Sequence, residues 1–124
     1  MKIQESGENY LEAIHMLGQE HGNVRSIDVV KLLGFSKPTV SVAVHSLEHD
    51  GFLTISPEGH LCLTDAGREV AERMYERHTI LSSLLIALGV PEDVAMEDAC
   101  KLEHDLSDVS FRKIREYYTA HLRK

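Results

Sequence analysis

The chain has no tryptophan, three phenylalanines, three prolines and two cysteines among its 124 residues. Cys62 and Cys100 are too few and too differently placed for the disulfide framework of a small secreted domain, which fits a reducing compartment. Long hydrophobic runs are also missing. No apolar stretch approaches the roughly 20 residues that cross a bilayer, and the N-terminus is polar and acidic, unlike a secretory leader. The expectation is a cytoplasmic protein with no membrane partner. No Gly-rich phosphate loop and no nucleophile–base arrangement occurs, so the chain reads as a non-enzyme. Positive charge is scarce too: 13 Lys and Arg stand against 20 Asp and Glu, a net −7. That balance argues mildly against a large polyanionic partner, although a bound divalent cation would neutralise part of it.

What is present is an ordinary globular composition, 43% hydrophobic and 27% charged, enough for one compact domain or two small ones sharing a long helix. From Ser6 to Glu20 the spacing of Tyr10, Leu11, Ile14 and Leu17 predicts a helix with Ser6 as its cap. Its neighbouring face carries Asn9, Glu12 and Met16, which places two oxygen donors one turn apart. His21-Gly22-Asn23 breaks it, and Val24-Arg25 is a short extended piece. Ser26 caps a second helix through Val29, Val30, Leu32 and Leu33, which Gly34 ends. Ser36 caps a third, with Pro38 in its first turn and Val40, Val44 and Leu47 inward. Two short helices joined by a Gly-containing turn form a helix-turn-helix.

From Phe52 to Leu63 the period changes to that of strands around Ser56-Pro57-Glu58-Gly59, a hairpin signal. Cys62 reads there as a buried or half-buried strand residue. A hairpin directly after a helix-turn-helix is the wing of a winged helix. Thr64 then caps a long helix, about 65–88, with Met74, His78, Leu81, Leu85 and Leu88 as a seam for another helix. Gly89-Val90-Pro91 stops it. A further helix covers roughly 91–107, with Val94, Ala95, Ala99, Leu102 and Leu106 near helical spacing, and a last one runs from Asp108 to Leu122 with Val109, Ile114, Tyr117 and Tyr118 inward. The later helices carry more apolar face than one small bundle uses, which predicts a two-fold homodimer. The fold class is thus mostly α, with a winged helix-turn-helix over residues 1–64 and a helical domain over 65–124.

Two constellations carry chemistry. Cys100, Glu103 and His104 fall at i, i+3 and i+4, so a thiol, a carboxylate and an imidazole share one helix face. Taken alone, they fit either a small buried cysteine beside two solvated polar residues or three ligands to a transition metal. The start of the third helix presents Ser36, Lys37, Pro38, Thr39 and Ser41. Hydroxyls and Lys37 suit phosphates or base edges and Pro38 suits a thymine methyl, with Arg25 and His60 of the wing region adding backbone contacts. Against this, any helix start is rich in such residues for capping reasons. Residues 1–64 hold 4 basic against 8 acidic side chains, so modest, dimerisation-dependent affinity for double-stranded DNA is expected, on an inverted repeat with half-sites one helical turn apart.

Glu8-Asn-Tyr-Leu-Glu12-Ala-Ile-His-Met-Leu17, Leu63-Thr-Asp-Ala-Gly67, Arg77-His78 and Asp98-Ala-Cys-Lys-Leu-Glu-His104 carry a resemblance along nearly the whole chain. It resembles the DtxR/MntR family of metal-dependent transcriptional repressors, in the short form that lacks the SH3-like domain. The resemblance implies a winged-helix DNA-binding domain and a helical domain for dimerisation and metal binding. It also implies metal ligands at Asn9, Glu12, His78, Cys100, Glu103 and His104. Cys100 matches the iron-type branch, whereas Glu12 with His78 in a single cluster looks like the manganese type. Asn9 fits neither, since it keeps an oxygen donor but loses the charge. An ancillary second site would need ligands at Ser82 and Met96, which are poor ones. The expectation is a repressor with a divalent ion as corepressor, joining the ligands of the first helix to those of the helical domain. Thiolate with imidazole and carboxylate favours Fe²⁺, with Mn²⁺ next on the resemblance and Zn²⁺, Co²⁺ or Ni²⁺ chemically competent. The rival reading is a metal-independent winged-helix regulator answering a small molecule, a protein or a redox signal through Cys100.

Overall fold

The computed structural model describes residues 5–122. Its elements are α1 (Glu5–His21), α2 (Ser26–Leu33), α3 (Lys37–His49), β1 (Leu53–Ile55), β2 (Leu61–Leu63), α4 (Asp65–Ala87), α5 (Glu92–Asp105) and α6 (Asp108–His121). They form two compact units, Met1–Arg73 and Met74–Lys124, so that α4 contributes to both.

In the first unit the α1 stripe of Tyr10, Leu11, Ile14 and Leu17 is buried together with Ala13. Val29 of α2, Val40, Val44 and Leu47 of α3, and Leu53 and Leu61 of the strands are buried as well. Ser36 caps α3 by accepting from the Thr39 backbone N–H at 3.2 Å. Gly34, with φ 76°, closes α2 in the left-handed conformation that glycine adopts without steric cost. Ser26 is not the cap of α2. Arg25 holds that position, and its backbone N–H donates to Asp28 Oδ2 at 2.9 Å. Likewise α1 already includes Glu5, so Ser6 lies inside the helix rather than at its cap.

The strands pair antiparallel, with Leu53 opposite Leu63, Thr54 opposite Cys62 and Ile55 opposite Leu61. Arg25 adds a bridge to His60, and the Leu61 N–H donates to the Val24 carbonyl at 2.7 Å, so the extended piece before α2 lines the hairpin. The helix-turn-helix and its wing are therefore present as expected. Cys62 departs from expectation: it is exposed. Strand side chains alternate, and with Leu61 turned into the core its neighbour must point outward.

Thr64 caps α4 as its sequence position suggests. Its Oγ1 accepts from the Gly67 N–H at 3.2 Å and donates to the Gly51 carbonyl at 2.7 Å. Gly67 lies so close to the chain before β1 that a Cβ there would sit 1.9 Å from the Phe52 carbonyl oxygen.

The second unit packs Leu81, Ala99 and Phe111 as its core, with Ile80, Leu106 and Ile114 against them. Of the expected α4 seam, Leu88 falls beyond the helix end and is exposed. In α6 the inward residue is Phe111, whereas Val109 and Tyr117 are each 59% exposed. Ser107 sets the phase by capping α6 through the Ser110 N–H at 3.1 Å. Phe111, Ile114 and Tyr118 then share the face three and seven residues on, and Val109 lies on the far side. Val94 and Leu102 of α5 are also largely exposed. Among the described residues, no helix is long and apolar enough to cross a membrane.

Candidate metal centre and nucleic-acid face

Pro91, with φ −56°, stands at the N-cap of α5, whose first turn carries Glu92 and Asp93 near the positive end of the helix dipole. Its buried stripe is Ala95, Ala99 and Glu103, spaced by four. The third position of a core stripe is therefore a carboxylate, and Glu103 is completely buried. Cys100 and His104 flank it on the same face. One ligand atom from each of Cys100, Glu103 and His104 lies within 4.8 Å of the others.

The environment of Glu103 is unusual. Its Oε2 is 3.0 Å from His78 Nδ1 of α4. Its Oε1 has no hydrogen bond, although His104 Nε2 stands 3.4 Å away and the His104 side chain is 2% exposed. A buried carboxylate oxygen without a hydrogen bond is costly. Two imidazoles around this one carboxylate, His104 beside Oε1 and His78 at Oε2, together with the Cys100 thiol, are the donor set of a divalent transition ion. The residues present fit such an ion.

The turn carrying these donors is fixed by Arg77, which is itself buried. Its Nη1 donates to the main-chain carbonyls of Glu103 at 3.0 Å and Leu106 at 2.7 Å. Nη2 pairs with Asp108 Oδ1, and the guanidinium lies 5.2 Å from the centre of the Phe111 ring. These carbonyls belong to the end of α5, where helix geometry leaves them without intrahelical partners. Arg77 thus works as the C-terminal cap of α5. In the sequence Arg77 stands out only as a neighbour of His78. No local spacing announces a cap supplied 26 residues earlier in the chain.

Of the other expected ligands, Asn9 and Glu12 lie one turn apart on α1 in the first unit, Asn9 half-buried and Glu12 buried. His78 is brought to the Glu103 carboxylate.

On α3, Ser36, Lys37, Pro38, Thr39 and Ser41 are all exposed, and no acidic residue occupies the first turn. Ser36 Oγ donates to Thr39 Oγ1 at 2.8 Å, so these two hydroxyls are held in a fixed orientation. Opposite the buried Val40, Val44 and Leu47, the outward stripe continues to Val42, which is 72% exposed, and to His45. Pro38, Ser41, Val42 and His45 fall at i, i+3, i+4 and i+7. Val42 and His45 extend the expected DNA-facing set, and the phase of the buried valines marks them. Arg25 and His60 are adjacent through their backbone bridge. At the hairpin turn, Glu58 is held below the usual carboxylate range by a hydrogen bond from its own backbone, then by Ser56, with the His60 and Arg25 charges adding.

Comparison with known proteins gives two family matches. A family model described as the N-terminal DNA-binding domain of iron-dependent repressors matches residues 2–61. A second, their metal-binding and dimerisation domain, matches residues 64–121. The transcriptional regulator MntR of Escherichia coli is 32% identical over 114 residues, covering 92% of this chain and 74% of that protein. An uncharacterised helix-turn-helix transcriptional regulator of Methanocaldococcus jannaschii is 30% identical over 115 residues, covering 91% of this chain and 92% of its own. A solved manganese-dependent transcriptional repressor, in complex with manganese, superposes with a TM-score of 0.82 at 29% identity, over 95% of this chain. The chain spans about 55% of the length of such solved neighbours.

Proposed function

We propose, from the premise that the chain belongs to the iron-dependent repressor family, that it is a transcriptional repressor whose binding to DNA is switched on by a divalent transition metal. The observation that carries this reading is the buried Glu103 carboxylate, grouped with Cys100 and His104, with His78 at its Oε2 and no hydrogen bond at its Oε1. In this reading those four residues are ligands, and Asn9 and Glu12 of α1 complete the donor set. The ion supplies positive charge that offsets the cost of the buried carboxylate. Glu103 offers the negative charge, His78 and His104 offer neutral imidazole nitrogens, and Cys100 binds as thiolate. A ligand that favours the DNA-competent state shifts the population toward it by its differential affinity. The thiolate–imidazole–carboxylate set favours Fe²⁺, with Mn²⁺ next and Zn²⁺, Co²⁺ and Ni²⁺ able to bind.

Residues 1–64 form the DNA-binding domain and residues 65–124 the dimerisation and metal-binding domain in this account, and the cytoplasm is the expected compartment. A homodimer presents two copies of α3 to an inverted repeat, with Ser36, Lys37, Pro38, Thr39 and Ser41 at the groove and Arg25 and His60 on the backbone. Selection from an inverted-repeat operator library, run in parallel with chelator, anaerobic Fe²⁺, Mn²⁺ and Zn²⁺, tests it. Metal-dependent enrichment of one palindrome is expected. Enrichment that ignores metal would make the Cys100 cluster structural, and none at all would remove DNA as the partner.

The wing gives a separate prediction. Glu58 is fully exposed and ionised beside Arg25 and His60, so it opposes a phosphate there. Glu58→Gln raises operator affinity, roughly threefold at low salt, with the gain fading as salt screens the charge. Fluorescence anisotropy across a KCl series measures this. Equal affinities at every salt concentration would place the wing away from the DNA.

A further inference from the structure

Arg77 and His78 are consecutive on α4, and both hold Glu103. His78 Nδ1 meets the carboxylate at 3.0 Å, while Arg77 Nη1 donates to the main-chain carbonyl of the same residue at 3.0 Å. Arg77 also grips Leu106 O at 2.7 Å and is anchored at its far end by Asp108, the first residue of α6. The guanidinium is a rigid fork of donors, so its bonds fix the last turn of α5 in angle as well as position. That turn carries Glu103 and His104, and Cys100 lies one turn earlier on the same face. A side chain on this turn can reach an ion's coordination sphere only as accurately as the turn itself is placed, and metal centres tolerate little displacement of their ligands.

We propose that Arg77 is the positioning residue of the metal centre. It sets where the Glu103 carboxylate and the His104 imidazole stand without touching the ion, and Asp108 holds it in place. This inference rests on the metal reading above and adds a residue to it. Arg77→Lys keeps the charge but replaces a planar fork by a single ammonium, which cannot serve two carbonyls and Asp108 in one geometry. Asp108 is 84% exposed at its side chain, so Asp108→Ala removes the anchor with little effect on packing.

The test is Co²⁺ titration of the full-length protein, followed by calorimetry and by the visible absorption of the bound cobalt. The fold of each metal-free variant is checked by circular dichroism at the assay temperature. Arg77→Lys is expected to weaken cobalt binding by about 10- to 100-fold, the range typical of second-layer metal-site residues, and to alter the cobalt spectrum. Asp108→Ala is expected to weaken it by a smaller factor. A purely structural role would lower the melting temperature of Arg77→Lys and leave cobalt affinity and spectrum as in the wild type in both variants, and that result overturns the proposal. If Arg77→Lys does not fold, Asp108→Ala decides alone: wild-type cobalt affinity and spectrum in that variant overturn it. Wild-type protein that takes up no cobalt overturns the metal reading itself.

Discussion

Glu103→Gln is expected to abolish the response to metal while leaving the metal-free protein at least as stable as the wild type. The side chain is completely buried, and its Oε1 has no hydrogen bond. The isosteric amide keeps the shape and a donor or acceptor for His78 Nδ1, and removes a buried charge whose Oε1 has only a long 3.4 Å approach from His104 Nε2. In the wild type, saturating metal stabilises the fold by mass action, about 2.7 kcal/mol when the ion is at 100 times its Kd. In Glu103→Gln that gain should shrink to near zero. Operator affinity should then cease to depend on metal, where the wild type is expected to gain roughly 5- to 150-fold, the usual size of a coupling between two sites. Thermal melts and DNA binding, each with and without Zn²⁺ or Mn²⁺, measure both effects. A wild-type metal response in this variant would remove Glu103 from the site.

Gly67→Ala is expected to be a strongly damaging small substitution in the first compact unit. Helix propensity alone would favour alanine by up to about 1 kcal/mol. The added Cβ, however, would stand 1.9 Å from the Phe52 carbonyl oxygen and 3.0 Å from its carbon. That carbonyl cannot swing away freely, because it accepts the Thr64 N–H at 3.1 Å, at the cap of α4. The helix start and the approach to β1 must separate, at a cost of about 3 kcal/mol. A loss of that size is a large fraction of the 5–15 kcal/mol typical of a small domain. Gly18→Ala is the internal control. Its Cβ would meet nothing nearer than Val24 Cγ2 at 3.8 Å, so it should be neutral or slightly stabilising. Urea denaturation of the two variants should separate them clearly. Equal midpoints would mean that the Phe52–Gly67 approach is not maintained in solution.

The contrast between what local spacing reveals and what it hides is physical. The winged helix was legible because its signals are local: the valine and leucine phases of α2 and α3, Ser36 at a helix start, Gly34 at a helix end and a Pro/Gly turn between two short strands. The grouping of Cys100, Glu103 and His104 was legible for the same reason, since a helix brings i, i+3 and i+4 together whatever surrounds it. That Glu103 would be the buried member was not, because the adjoining Ala95–Ala99 stripe is too small to announce a core face. Phe111 and Val109 are two residues apart in α6, and composition does not choose between them. The phase set by Ser107 does. Cys62 was misplaced because a three-residue strand offers only one alternation, and Leu61 takes the inner place. Arg77 was missed as a cap because its partners are distant in sequence, and only packing reveals them.

The central claim is that an ion held by Cys100, Glu103 and His104 is what permits DNA binding. One titration addresses it directly. Co²⁺ is added to metal-free protein with fluorescent operator DNA present, and the thiolate–cobalt absorption is recorded together with operator anisotropy. The account predicts that both rise together to one saturation point, and that Cys100→Ser loses the thiolate band. Operator binding that is complete before any cobalt is added, or a thiolate band that saturates while anisotropy stays flat, would contradict it.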